Sequence, residues 1–485
     1  MTKAQGNRGW AAMMVAAMLM MLAATIAAPA QTFTTLVNFN TTNGRNPYYA
    51  SLVQGTDGNL YGTVPDGGEF KWGTVFRLSP AGTLTTLYNF CSQTNCTDGA
   101  GPSGLVLGTD GSFYGTTGLG GASANGGNGS GWGTVFKITS TGRLTTLYSF
   151  CGQVGCNDGQ GPAAALVQGM DGSFYGTTFY GGLSGNGTVF RITPGGTLTT
   201  LYNFNEYPDG GQPLGSLVQA PNGILYGTTN AGGLNGDGTV YSITSQGALT
   251  TIHSFDYSDG WAVNDGLILA SDGNFYGTTT GGGSSSACQD GCGTVFKITA
   301  SGKLTTLHNF DSIDGAEPIG GLVQATDGDF YGTTGTGGTG YACPYQCGTV
   351  FEITRSGTLT TLHSFDSTDG ATPYDALFQA TNGSFYGTTL VGGTSQGGTI
   401  FAVSVGLGAF VETVPTTAKV GRTIRILGNN LTGATSVTFN GTAATFTVKS
   451  ATYISTTVPT GATTGPVQVV TPSGTLTSNV NFRVE

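Results

Sequence analysis

Residues able to do chemistry recur in this sequence at fixed offsets, and their pattern speaks more for ligand contact than for catalysis. Six Asp-Gly pairs begin at Asp98, Asp158, Asp209, Asp259, Asp314 and Asp369, with Asn43-Gly44 as a seventh copy. Three of them carry a further acid three residues earlier, at Asp256, Asp311 and Asp366. Loops of this kind could offer oxygens to calcium, so the pairs Asp256/Asp259, Asp311/Asp314 and Asp366/Asp369 are candidate calcium ligands. They lack the Asp-x-Asp-x-Asp-Gly run of compact calcium loops. Asp before Gly is also ordinary turn chemistry, the carboxylate capping its own backbone, and this is the favoured reading.

Histidine is scarce. His253, His308 and His363 share one repeat position, where earlier copies place Tyr88, Tyr148 and Tyr202. On equivalent strands of successive repeats they are not expected to converge, so neither a metal shell nor a Ser-His-Asp site is supported, and no catalytic residue is assigned. Aromatic residues are better candidates. Trp72 and Trp132 precede the same Gly-Thr-Val motif in neighbouring repeats, and Trp261, Tyr180, Tyr341 and Tyr345 lie in other loops. Rings beside carboxylates could stack on sugars or anchor a protein partner; the plainer alternative is that they cover the rim of the fold. Glycine-rich loops such as Gly335-x-Gly337-Gly338 join antiparallel strands and lack a following Lys-Ser/Thr, so they are not phosphate cradles.

The eight cysteines form four local pairs: Cys91/Cys96, Cys151/Cys156, Cys288/Cys292 and Cys343/Cys347. No histidine lies near any pair, and two thiolates alone make a poor zinc shell. Four small-loop disulfides are expected, which suits an exported chain. Export is also read from the N-terminus. Lys3 and Arg8 precede an apolar run, Ala11 to Ala27, and Ala28-Pro29-Ala30 fits a cleavage site, so residues 1–30 are expected to be a signal peptide. No second apolar run approaches spanning length, so no membrane span is expected after cleavage.

These residues are positioned by a unit written seven times. Tyr-Gly-Thr begins at Tyr61, Tyr114, Tyr175, Tyr226, Tyr276, Tyr331 and Tyr386, between 50 and 61 residues apart. Gly-Thr-Val/Ile-aromatic and Thr-Thr-Leu/Ile-x-x-Phe recur in step with it, a period typical of propellers or solenoids. Each unit reads as four short strands, in the fifth copy roughly Leu267–Ala270, Asn274–Thr278, Thr294–Thr299 and Lys303–Phe310. The first turn is Asp-Gly or Asn-Gly, read as a tight hairpin with positive φ at both central positions. The chain after the leader opens on a lone fourth strand, Phe33–Phe39, and the repeats close on a third strand, Gly398–Val403. Pairing the two closes a ring with no open sheet edge. The expectation is an all-β chain: a seven-bladed β-propeller over residues 31–405, then a small immunoglobulin-like β-sandwich over 410–485. In such a ring the turns after first and third strands share one face. The connections after second and fourth strands share the other, which carries the length variation and all eight cysteines.

Of the charges, the ring holds nine basic and 24 acidic residues, net −15, which disfavours nucleic acid as a partner. The tail is mildly basic.

Two resemblances follow from the motifs. Val420-Gly421, Ile424-x-x-x-Gly428-x-Asn430-Leu431, Gly433-Ala434-x-x-Val437-x-Phe439-Asn440-Gly441 and Val458-Pro459 with Gly461-Ala462-x-x-Gly465 resemble an IPT/TIG domain, which implies an immunoglobulin-like fold. The ring, through DGNFYGTTTGGG and GTVFKITASGKLTTL, is similar to the GloVer tandem repeats of exported bacterial proteins of the choice-of-anchor type. That family implies export without a defined activity. Its members end in varied surface-anchoring signals, which Asn481–Glu485 does not resemble. The functional expectation is an exported, non-enzymatic binding protein, extracellular, periplasmic or on the cell surface, whose loop face takes an extracellular glycan or an envelope protein. The alternative is a polysaccharide hydrolase or lyase with paired carboxylates near the ring axis.

Overall fold

The computed structural model describes residues 31–122, 131–340, 343 and 347–485; the leader expectation, Tyr341 and Tyr345 lie outside them. The chain is all-β and propeller-like, with seven four-stranded antiparallel sheets in the repeat region. In the first sheet the strands are Val53–Gln54, Leu60–Val64, Thr74–Leu78 and Leu84–Asn89. The second strand is buried along its whole length, whereas the fourth is half-buried to exposed. Each sheet therefore runs from an enclosed inner edge to a solvated outer one. The last sheet takes its outer strand, Thr32–Asn38, from the start of the described chain, paired antiparallel with Thr399–Ser404.

Consecutive sheets pack through the repeated aromatics. The Phe ending each fourth strand meets the third-strand aromatic of the next sheet, as in Phe90–Phe136 at 5.2 Å and Phe365–Phe401 at 5.2 Å. Phe39 of the last sheet meets Phe76 of the first at 5.8 Å, so the succession returns to its start. Tyrosine of the Tyr-Gly-Thr motif serves two contacts at once. Tyr114 stacks on Phe174 of the next sheet at 4.0 Å, while its hydroxyl donates to Asp110 of its own first turn at 2.9 Å.

That turn differs from the expected hairpin. Only the glycine takes positive φ (80° at Gly58), and Asp57 does not. The bonds Gly58 N–H to Gly55 C=O and Gly55 N–H to Asn59 C=O mark a three-residue loop, a type I turn followed by a left-handed glycine. Aspartate is there because its carboxylate accepts the backbone N–H two residues on and the tyrosine hydroxyl four residues on.

Two connections correct the expectation of plain loops between strands. After the fourth strands of the first two sheets the chain makes a short 3-10 turn, Thr94–Cys96 and Val154–Cys156. Cys96 and Cys156, expected only as the ends of small disulfide loops, are therefore the last residues of helical turns. The cause is local hydrogen bonding from residue i+3 to residue i. The Cys96 N–H donates to Gln93 C=O at 2.9 Å, and the Cys156 N–H donates to Gln153 C=O at 3.0 Å. Both cysteines then take positive φ, 51° at Cys96 and 54° at Cys156. Each carbonyl accepts two glycine N–H groups, from Gly99 and Gly121 at Cys96 and from Gly159 and Gly182 at Cys156. The turn so ties the fourth-strand connection to the one that follows the next second strand. Cys96 is buried and Cys156 half-buried.

A threonine pair fastens the other end of six of the seven sheets. Thr117 and Thr134 share a hydroxyl–hydroxyl bond of 2.9 Å, and Thr117 Oγ1 also accepts the Thr134 N–H and donates to Leu119 C=O. The same trio recurs in five further sheets, as at Thr178/Thr188 and Thr389/Thr399. In the first sheet Val64 replaces the first threonine, and the buried Thr74 hydroxyl has no partner.

The tail forms two four-stranded sheets over one cluster that includes Ile424, Ile426, Val437, Phe439, Ile454, Val467 and Phe482. Its strands include Thr423–Leu427, Ser436–Phe439 and Val467–Thr471. The tail docks on the turns after first strands. Arg425 donates to Thr109 C=O, Thr452 donates to Thr56 C=O at 2.9 Å, and Asn429 donates to Thr381 at 2.7 Å. It thus covers the short-turn face and leaves the loop face free.

Candidate functional site

The loop face carries most of the exposed apolar surface. Among the described residues, twelve of the fifteen exposed large apolar side chains lie on connections after second or fourth strands or at their ends, including Phe70, Leu119, Leu183, Tyr207 and Ile313. The other three are in the tail. Large apolar side chains gathered on one face mark interaction surfaces more often than accident.

Trp72 and Trp132 are each 37% exposed. Their position has a structural duty, but the backbone performs it: each carbonyl accepts an N–H of the next repeat, from Gly101 at 3.0 Å and Gly161 at 2.9 Å. Asn186, Asp237, Cys292 and Cys347 do the same elsewhere with quite different side chains. The fold therefore asks for no indole at either place. Tyr180 is 50% exposed and leans edge-on against Phe179. Trp261 is more committed: its ring lies over Gly281, where a Cβ would come within 2.3 Å, and its Nε1 donates to Asp290 C=O at 3.1 Å. It anchors the loop closed by Cys288–Cys292. The pairs Cys91–Cys96, Cys151–Cys156 and Cys343–Cys347 are also disulfides, so none of the four is left as a thiolate pair for zinc.

The candidate calcium aspartates are engaged in turn bonding. Asp259 Oδ2 meets His253 at 2.8 Å, and its Oδ1 accepts the Asp256 N–H at 3.0 Å. Asp314 and Asp369 repeat this with His308 at 2.7 Å and His363 at 2.8 Å. Asp256, Asp311 and Asp366 accept the backbone N–H two residues on, and Ser258 or Thr368 hydroxyls hold the first and last below the usual carboxylate range. In the earlier repeats the histidine's place is taken by tyrosine, as in Tyr148 donating to Asp158 at 2.7 Å. The histidines thus serve their own aspartates. The group of three carboxylates within 4.8 Å of one another among the described residues is instead Asp327, Asp329 and Glu352. There a glutamate stands opposite a turn aspartate whose counterparts face Lys137 at 2.7 Å and Lys297 at 2.8 Å.

Two acids near the axis depart from sevenfold equivalence. Two positions before the first-strand Leu or its equivalent stand Ala50, Ser103, Ala164, Gly215 and Gly320, but Asp265 and Asp375 in the fifth and seventh sheets. Both line a cavity of about 30 Å³ with Tyr49, Tyr374 and Asn264. Asp265 accepts the Gly321 N–H at 2.7 Å, and Asp375 accepts the Ala50 N–H at 2.9 Å and the Thr388 hydroxyl at 2.8 Å. Burial, reinforced by the charge of Asp265, pushes the Asp375 carboxyl up to about 7; burial also raises Asp265, against two backbone bonds. Asp265 is half-buried where it lines the cavity. Sequence reading missed this pair; comparing the seven copies at that one position would have found it.

A family model described as the Gloeobacter/Verrucomicrobia repeat matches residues 24–128, 121–289 and 235–454. Comparison with curated proteins returns no match. Among solved structures, a fungal alcohol oxidase of the AA5 family, in complex with copper, is similar over 93% of this chain and 98% of its own, at 14% identity and a TM-score of 0.53. That similarity is one of fold. A gluconolactonase from Xanthomonas campestris (12% identity, 79% of this chain and 92% of its own, TM-score 0.37) is also similar. So is a putative 6-phosphogluconolactonase from Bacteroides uniformis (18% identity, 65% and 85%, TM-score 0.42).

Proposed function

The chain belongs to the Gloeobacter/Verrucomicrobia repeat family, and from that premise we propose an exported, non-enzymatic binding protein whose loop face recognises an extracellular glycan. In this reading the seven sheets are the blades of a closed propeller, and the tail is an IPT/TIG-type immunoglobulin-like module. The observation that carries it is the one-sidedness of the ring. Exposed apolar and aromatic side chains gather on the face the tail leaves open, and two of them, Trp72 and Trp132, sit where the fold needs only a backbone carbonyl. Indole and phenol rings beside carboxylates suit the apolar faces and hydroxyl edges of sugars. Four disulfides are compatible with export. No helix among the described residues is long and apolar enough to cross a membrane.

The polysaccharide-cleaving alternative would rest on Asp265 and Asp375. Their carboxylates are occupied by bonds from neighbouring strands, and the 30 Å³ between them admits a water, not a sugar ring. The binding reading is therefore preferred.

The test is a glycan array with the secreted chain, with and without calcium, beside Trp72→Ala and Trp132→Ala. Saturable binding weakened by both substitutions is expected. Calcium dependence would bring in the Asp256/Asp259, Asp311/Asp314 and Asp366/Asp369 loops. Silence on every glycan overturns the sugar assignment and turns the search to an envelope protein.

A further inference from the structure

Between the tail and the turn face of the ring lies a cleft of about 700 Å³. That is the size of a small-molecule site, and such sites favour domain junctions. Its ring wall carries four valines, Val53, Val106, Val167 and Val218, one from the first strand of each of the first four sheets, interleaved with Gln54, Gln168 and Gln219. Its tail wall includes the edge strand Glu412–Val414.

Glu412 is out of place there. Its backbone pairs with Leu427, but among the described residues no hydrogen bond or ion pair reaches its carboxylate. Glu412 is half-buried in the cleft wall, and this burial, with no cation to offset it, pushes the carboxyl up to about 7. Beside it the buried hydroxyl of Thr413, also in the cleft wall, has no partner. An unpaired carboxylate drawn partly out of water is costly, and an opposite charge brought within contact distance favours its ionised form.

We propose that this cleft binds a small organic cation: a primary ammonium on an alkyl or aryl body, the ammonium donating to Glu412 and the body lying on the four valines. The other charged groups of the cleft are Asp171, Glu485, Lys419 and Arg422, two of each sign, so Glu412 alone decides the preference near the edge strand. The site is independent of the loop face, being at the opposite end of the ring. Either can fail without the other.

The experiment is isothermal titration calorimetry of the secreted chain with n-hexylammonium and benzylammonium chlorides, and with benzyl alcohol as the neutral counterpart. Saturable one-to-one binding of both amines is expected at about pH 8. The alcohol should bind at least about tenfold more weakly, as should both amines in Glu412→Gln. Amine binding should also weaken towards about pH 5, as Glu412 takes up its proton. Glutamine keeps the shape and removes the unpaired charge, so this variant should unfold no earlier than the parent. A second variant, Val106→Phe, narrows the cleft without touching Glu412 and should weaken hexylammonium. Equal affinity for amine and alcohol, unchanged amine binding in Glu412→Gln, or no heat at about 10 mM amine would each overturn the proposal.

Discussion

Replacing Val64 by Thr should stabilise the protein, and replacing Thr117 by Val should destabilise it, because the two positions are the same place in adjacent sheets. In the second sheet Thr117 Oγ1 makes three bonds, with Thr134 Oγ1 at 2.9 Å, the Thr134 N–H at 3.0 Å and Leu119 C=O at 2.8 Å. In the first sheet Val64 makes none of them, and Thr74 Oγ1 is buried and unpaired. The two side chains have nearly the same shape, and each is faced by a glycine that leaves room for either: Gly44 against Val64, Gly99 against Thr117. An orphaned buried hydroxyl costs about 1–3 kcal/mol, and a net hydrogen bond contributes about 1 kcal/mol. Against that stands the desolvation of the new hydroxyl. Val64→Thr should therefore gain about 1 kcal/mol and Thr117→Val lose about 2 kcal/mol. For a ring of about 375 residues each kcal/mol moves Tm by only about 1 °C, so urea unfolding midpoints at constant m are the better assay. A destabilised Val64→Thr, or a neutral Thr117→Val, would refute the claim that this threonine pair holds the sheet's end where it is present.

Other outcomes follow from the charges. The folded-state carboxyls of Asp375 and Glu412, each at about 7, bind protons that their unfolded counterparts release near pH 4. Stability should therefore fall, by on the order of a few kcal/mol, as pH rises from about 4 to about 7, and Asp375→Asn or Glu412→Gln should flatten that fall in thermal unfolding. Asp272 has the opposite sign: Lys297 and the turn N–H hold its carboxyl far below the usual range, so its contribution is lost on acidification below about pH 4. A stability that climbs steadily from pH 4 to 8 would contradict the buried state of both raised groups. Glu352→Lys, which restores the partner seen at Lys137 and Lys297, should stabilise by about 0.5 kcal/mol at neutral pH and by less in high salt; equal effects at both ionic strengths would refute the charge argument.

The repeat made the strands legible, since each position was written seven times and its burial could be read from residue type. The partner of the lone strand near Phe33–Phe39 was legible because each unit needs four strands, and Thr32–Asn38 pairs with Thr399–Ser404 as that need dictated. What escaped were departures from the average. Asp265 and Asp375 hid among small residues at a position where no motif draws the eye. Glu412 was illegible for a different reason: its burial depends on how the tail meets the ring, which no periodicity encodes. The hairpin was misjudged because Asp-Gly fits both a two-residue turn and a type I turn with a following left-handed glycine, and the bond from Gly58 to Gly55 decides for the second. The 3-10 turns ending at Cys96 and Cys156 escaped because three residues carry no hydrophobic period, although the cysteine spacing marked both loops as closed.

The loop-face assignment has a built-in reporter. From residue 31 onward the chain holds three tryptophans, Trp72, Trp132 and Trp261, all on that face. Tryptophan emission of residues 31–485, titrated with a glycan that binds on the array, should shift to the blue and saturate at the concentration at which binding does. Hexylammonium, at the opposite end of the ring, should leave it unchanged. A glycan that binds saturably while the emission stays flat would place recognition elsewhere and contradict the account.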